Sequence, residues 1–111
     1  MDVAALAPVQ AWFGAAFSAP VLAALVAQGD RFLDDRIRLY APDELIERNA
    51  TYESRDYCPG YLAIGDDSGG RAIMIDPRLP DPPVYVVDHG AMTADAFEAL
   101  APALSAWLHG R

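Results

Sequence analysis

Cys58, Asp88 and His89 form the one nucleophile, orienter and base set worth writing down in this sequence, because a thiol needs a nearby base to become the reactive thiolate. The set is weak. Neighbouring residues of a strand point to opposite faces, so Asp88 does not readily orient the His89 ring, and Cys58 is better read as a small buried apolar residue. Asp66, Asp67 and Asp76 offer a second chemistry, since calcium and magnesium favour clustered carboxylates. Gly65 to Asp76 does not supply the EF-hand series, with glycines where ligands are wanted at positions one and five and aspartate in place of the twelfth-position glutamate, so turn solvation is the better reading. The glycines at 65, 69 and 70 miss the G-x-G-x-x-G order and lead into a strand, not into a helix N-terminus that would cradle phosphate. Glu44 and Glu47 share a helical face at acid–base spacing, but with Arg48 beside them they describe a solvated surface. His109 complements a helix C-terminal dipole. The expectation is therefore a protein that performs no catalysis and needs no cofactor or metal.

Composition narrows the classes further. The chain has 111 residues with 53% hydrophobic content, enough for one compact core, and a single domain over residues 1–111 is expected. Lysine is absent, which removes Schiff-base and P-loop lysine chemistry. Eight arginines face 16 acidic residues for a net charge of −8. That balance repels nucleic acid and anionic lipid and favours a basic protein partner over DNA, the alternative being a negative surface that merely keeps a small protein soluble. The lone cysteine forms no intrachain disulfide and fits a reducing compartment, so a cytoplasmic location is expected. No charged residue lies between Val3 and Gly29, yet Pro8, Pro20, Gln10 and Gln28 interrupt that run and Asp2 stands where a signal peptide needs positive charge. Two buried helices, not a membrane span, are expected there.

These residues must be held by elements that the sequence also marks. Leu6, Val9, Phe13 and Phe17, with Trp12 beside them, predict a first helix. A second runs from about Pro20 to Gln28, capped by Ser18 and closed by a left-handed Gly29. Phe32 and Leu33 anchor the following connection. Residues 37–40 alternate as a half-buried strand, and Pro42 opens a third helix. Residues 50–59 read as a polar, aromatic loop of the contact-making kind. Tyr61 to Asp76 reads as a β-hairpin around a six-residue Gly/Asp/Ser insert, with Gly65, Gly69 and Gly70 at positive φ. A proline-rich connection leads to strand 84–88, and Thr93 caps a closing helix that carries Phe97, Leu100, Leu104, Trp107 and Leu108 on one face, kinked at Pro102. Both tryptophans fill the core. The fold expected is α+β, a mostly antiparallel twisted sheet flanked by N-terminal and C-terminal helices.

Ala19-Pro20 opening an apolar helix, Gln28-Gly29-Asp30 closing it, Leu39-Tyr40, Asp43-Glu44-Leu45, Asn49 and Ile64-Gly65-Asp66-Asp67-Ser68-Gly69-Gly70 together resemble the SUKH superfamily. The resemblance continues through Ile73-Met74-Ile75-Asp76, Val84-Tyr85-Val86-Val87-Asp88 and the final phenylalanine-bearing segment, and spans about Pro20 to Leu108. This superfamily contains the yeast Smi/Knr cell-wall regulator domain and many bacterial immunity proteins. Ala19-Pro20 and Gln28-Gly29-Asp30 depart from the family's usual Leu-Pro and Asn-Gly-Gly, and the chain is short for the family, so edge strands are at risk. The resemblance implies a SUKH-like sheet and an immunity-type function: binding a cognate secreted or polymorphic bacterial toxin, often a nuclease or deaminase. Its regulatory branch implies the alternative, a scaffolding domain with an endogenous partner. The family's interface varies, so contact residues come from the sequence itself. Tyr52, Glu53, Asp56 and Tyr57, with Asp66 and Asp67 of the hairpin, are the partner-binding candidates, on a protein expected to be a monomer or weak homodimer.

Overall fold

The structure is a computed structural model that describes residues 3–109. A 3-10 turn, Val3–Leu6, leads into α1 (Ala7–Phe13), which ends at Gly14 in the left-handed region with φ of 93°. Gln10 then accepts the Phe17 N–H at 2.8 Å, shaping the link to α2 (Ala19–Gln28). Ser18 caps α2 as expected, accepting from the Val21 amide, and its hydroxyl also donates to the Leu79 carbonyl at 2.8 Å. The helix start is thus tied to the proline-rich connection of the sheet. Val21 and Leu25 point into the core.

Gly29 does not close α2 in the left-handed region. Its φ is −61°, and Asp30 takes the positive φ of 62° instead. Glycine is needed at 29 for space, since a Cβ there would stand 2.6 Å from the Leu25 carbonyl oxygen and 3.0 Å from Pro42. Two short strands follow, β1 (Arg31–Phe32) and β2 (Arg38–Leu39), joined by a turn in which Asp34 accepts the Arg36 and Ile37 amides. Phe32 is 63% exposed, so Leu33 alone anchors this connection, against the expectation for both.

A 3-10 turn, Pro42–Glu44, opens α3 (Leu45–Thr51). The segment expected as a loop at 50–59 instead carries the end of α3 and a one-turn helix, α4 (Ser54–Tyr57), entered through Glu53 at φ of 56°. The chain then runs up β3 (Leu62–Asp66), down β4 (Arg71–Ile75) and back along β5 (Val84–Asp88). In the β3–β4 turn, Gly70 and Ser68 hold the positive φ values, 97° and 62°. Gly65, expected in the turn, sits inside β3, where a Cβ would meet the Arg38 carbonyl oxygen at 2.3 Å.

The closing helix is the largest correction. Residues 93–101 form a 3-10 turn, Ala94–Ala96, and a sixth strand, β6 (Glu98–Ala101), and only then does α5 (Leu104–His109) begin. Thr93 makes no side-chain cap. Pro102 lies between β6 and α5 and marks the join instead of a kink.

All six strands form one antiparallel sheet in chain order, β1-β2-β3-β4-β5-β6. The fold is α+β with helices at both ends, as expected. Short edge strands survive on both sides. Four consecutive residues of β3 and four of β4 are buried, so both faces of the sheet centre are covered. Trp107 is in the core, whereas Trp12 is half-buried with the Arg55 guanidinium 4.5 Å from its ring centroid. Among the described residues no helix is long and apolar enough to cross a membrane.

Candidate functional site

Asn49 fixes the geometry from which the site is built. Where β2 ends, the Ala63 backbone on β3 has no strand partner on that side, and the Asn49 carboxamide takes its place: Nδ2 donates to the Ala63 carbonyl at 2.9 Å and Oδ1 accepts the Ala63 amide at 2.8 Å. The second Nδ2 proton goes to the Leu45 carbonyl, and Oδ1 also accepts from the Ser54 hydroxyl. One fully buried side chain therefore pins α3, α4 and the sheet together.

This clamp presents Tyr52, at the end of α3, to the sheet. The Tyr40 hydroxyl donates to Asp66 Oδ2 at 2.8 Å and lies 2.7 Å from the Tyr52 hydroxyl, so Tyr52 supplies the proton between the two phenols. Burial, with the hydrogen bonds to Tyr52 and Asp66 behind it, pushes Tyr40 far above the usual phenol range and keeps it protonated. The Tyr52 ring stacks on His89, centroids 4.4 Å apart and planes 27° from parallel. Beside this stack is a recess of about 330 Å³ lined by Tyr52, Tyr57 and residues 89–93. Tyr57 is 54% exposed at its mouth. His89 Nε2 is buried without a hydrogen-bond partner.

The expected contact residues thus divide into three groups. Tyr52 and Tyr57 share the recess. Glu53 and Asp56 are exposed and line a second hollow of about 210 Å³ with Trp12 and Arg55. Asp66 and Asp67 are committed to the hairpin. Asp66 Oδ1 accepts the Ser68 amide, and Asp67 Oδ1 accepts the Gly69 and Arg71 amides while Oδ2 pairs with Arg71 at 3.4 Å. Partial burial raises the Asp67 pKa, but these amides and Arg71 outweigh it and hold the carboxyl below its usual range. Asp66 reaches the recess only through Tyr40 and Tyr52.

The alternative chemistries are built differently from what catalysis needs. Cys58 is 1% exposed, and burial pushes its thiol up to about 11, away from the thiolate a nucleophile requires. Asp88 caps the Gly90 amide at 2.7 Å, and His89 stacks on Tyr52. Asp76 is held by Arg78 through two contacts of 2.9 and 2.8 Å, and that partner depresses its pKa. Among the described residues no three His, Cys, Asp or Glu side chains are grouped to hold a metal ion. Glu44 binds the Arg38 guanidinium at 2.7 Å and the Ala41 amide, while Glu47 is exposed. A larger groove of about 520 Å³ between α2 and α5 is lined mainly by Pro, Ala and Leu, and its Asp81 carboxylate caps Ser105.

The chain matches no protein-family model and no curated protein. Sequence reasoning misses Tyr40 and His89 as members of the aromatic cluster. Tyr40 carries only a strand-alternation signal, and His89 reads solely as a base.

Proposed function

We propose that this protein is an immunity-type binding domain that neutralises a basic bacterial toxin domain in the cytoplasm by direct contact, without doing chemistry itself. The observation that carries the reading is the arrangement around α4. Tyr52 and the exposed Tyr57 line an aromatic recess, and the exposed Glu53 and Asp56 that lie between them in the chain line a second hollow, on a chain whose net charge is −8. Carboxylates of this kind steer a basic partner, and rigid aromatic rings supply contact area at low entropic cost. The resemblance to the SUKH superfamily supports the same reading through the order of its pieces, from Ala19-Pro20 to Val84-Tyr85-Val86-Val87-Asp88. The buried Cys58 thiol, raised to about 11, argues against the cysteine hydrolase alternative.

The test is an affinity pull-down with the tagged protein from its own organism at low and high salt, followed by mass spectrometry. Retention of a single basic nuclease-type or deaminase-type domain that elutes with salt is expected. Recovery of housekeeping proteins alone, or of nothing, overturns the toxin reading and shifts weight to a regulatory scaffold.

A further inference from the structure

Two aromatic rings of the protein, Tyr40 and Trp12, already carry its own guanidinium groups. Arg38 and Arg48 lie 5.9 and 5.5 Å from the Tyr40 ring centroid, and Arg55 lies 4.5 Å from that of Trp12. Tyr52 and Tyr57 receive no such cation from the described residues, although they wall a recess of about 330 Å³. The three aromatic wall residues each have an exposed carboxylate next to them in the chain, Glu53 after Tyr52, Asp56 before Tyr57 and Asp88 before His89, although these carboxylates line other hollows and not the recess itself. Beside the recess, His89 Nε2 is a buried ring nitrogen that the fold leaves unsatisfied. In the Nδ1-protonated tautomer it accepts an N–H.

We propose that this recess is a subsite for an arginine side chain of the partner protein, whose guanidinium stacks against Tyr57 and the Tyr52–His89 pair within the negative field of a chain of net charge −8. Arginine is specified over lysine by chemistry. Its planar cation stacks on aromatic rings, offers five donors in a fixed fork, and is more weakly hydrated than an ammonium, so less solvation is lost on entry. The Tyr52–His89 stack is rigid from behind, since the Tyr52 hydroxyl is held by Tyr40 and Tyr40 by Asp66, and a preformed wall lowers the ordering cost of binding. The inference rests on the proposed partner-binding role and deepens it, by naming where a basic partner inserts a residue.

The probe is N-acetyl-arginine-methylamide, titrated into the whole protein and followed by amide-resolved NMR at physiological ionic strength, beside the lysine and citrulline counterparts. Saturable shifts centred on Tyr52, Tyr57 and residues 89–93 are expected, weaker with lysine and absent with uncharged citrulline. Tyr57→Ala, at an exposed position that leaves the core intact, is expected to weaken arginine binding about fivefold, the equivalent of one cation–π contact, while Tyr57→Phe retains it. Equal shifts with citrulline overturn the proposal, as do diffuse, unsaturable shifts spread over the acidic surface. Tighter binding of free arginine than of the capped form overturns it too, by marking a small-molecule site. The two readings fail separately. A toxin recovered by pull-down whose affinity ignores Tyr57→Ala sinks the subsite alone, and saturable arginine binding with no toxin recovered sinks the immunity role alone.

Discussion

Asn49 uses every hydrogen-bonding position of its carboxamide inside the core, on Leu45, Ser54 and both backbone groups of Ala63. Truncating it leaves the Ala63 amide and carbonyl buried without partners, and each such group costs about 1–3 kcal/mol. Asn49→Ala is therefore expected to lower unfolding free energy by roughly 3 kcal/mol in urea titration. Asn49→Asp should be no milder, because it replaces two donors with a buried charge. Cys58 gives a different kind of prediction. Its thiol is raised from 9.0 to about 11 by burial, so above the unfolded value the denatured chain releases a proton that the native chain keeps. The stability associated with this group is complete below about pH 9 and declines as pH rises toward 11, by an amount on the order of 2 kcal/mol. Tyr40, also held protonated, pulls in the same direction at still higher pH. Iodoacetamide labelling of Cys58 should be slow in the native protein at about pH 8 and fast in denaturant. Rapid native labelling would revive the nucleophile.

Glycine separates two demands at the level of elements. Gly65 is required by the β2–β3 contact, where a Cβ would stand 2.3 Å from the Arg38 oxygen and 3.1 Å from Leu39, whereas Gly14 is required only by its φ of 93°, with nothing within 4 Å. Gly65→Ala must push β2 away from β3 and is expected to cost about 3 kcal/mol. Gly14→Ala faces only left-handed strain of about 1–2 kcal/mol. Parallel thermal melts of the two variants distinguish them, and equal losses would mean that β2 yields freely. The same elements show what the sequence could disclose. The Ser18 cap, the Pro42 turn and the β3–β4 hairpin were legible because their signals are local: a capping hydroxyl, a proline and a Gly/Asp/Ser insert between apolar runs. Residues 93–101 were not. Ala94-Asp95-Ala96-Phe97-Glu98-Ala99-Leu100-Ala101 has helical propensity and spacing, but Pro102 disfavours the helical conformation at Ala101, and pairing with β5 captures the segment as a strand. That competitor is tertiary and leaves no local trace. The site divides likewise: Tyr52 and Tyr57 stand out as aromatic residues in a polar stretch, whereas Tyr40 and His89 join them only through folding.

For the whole molecule, the question is which carboxylates are available to act at a distance. Asp30, Glu44, Asp67, Asp76 and Glu98 are ion-paired with Arg38, Arg71 and Arg78, and Asp66 is tied to Tyr40 and the Ser68 amide. Asp66 and Asp67, chosen from sequence as steering residues, also hold the hairpin together through these bonds. Replacing them with asparagine should loosen the hairpin and leave association with a basic partner nearly unchanged. Asp43, Glu47, Glu53 and Asp56 are exposed and make no ion pair among the described residues. They lie on the Pro42–Glu44 turn, on α3, and at the start and within α4, a continuous stretch of the chain that also carries Tyr52 and Tyr57. Electrostatic steering changes association rates by factors of about 10–1,000 and fades once the Debye length falls to a few ångströms. Neutralising Glu53 and Asp56 together, as Glu53→Gln and Asp56→Asn, is expected to slow association with a basic toxin domain about tenfold at low salt in stopped-flow mixing. The deficit should vanish near about 1 M salt, with dissociation almost unaltered. A tenfold loss that persists at high salt would mean that these residues make direct contacts, and the same loss from the Asp66 and Asp67 pair would return the steering role to the hairpin.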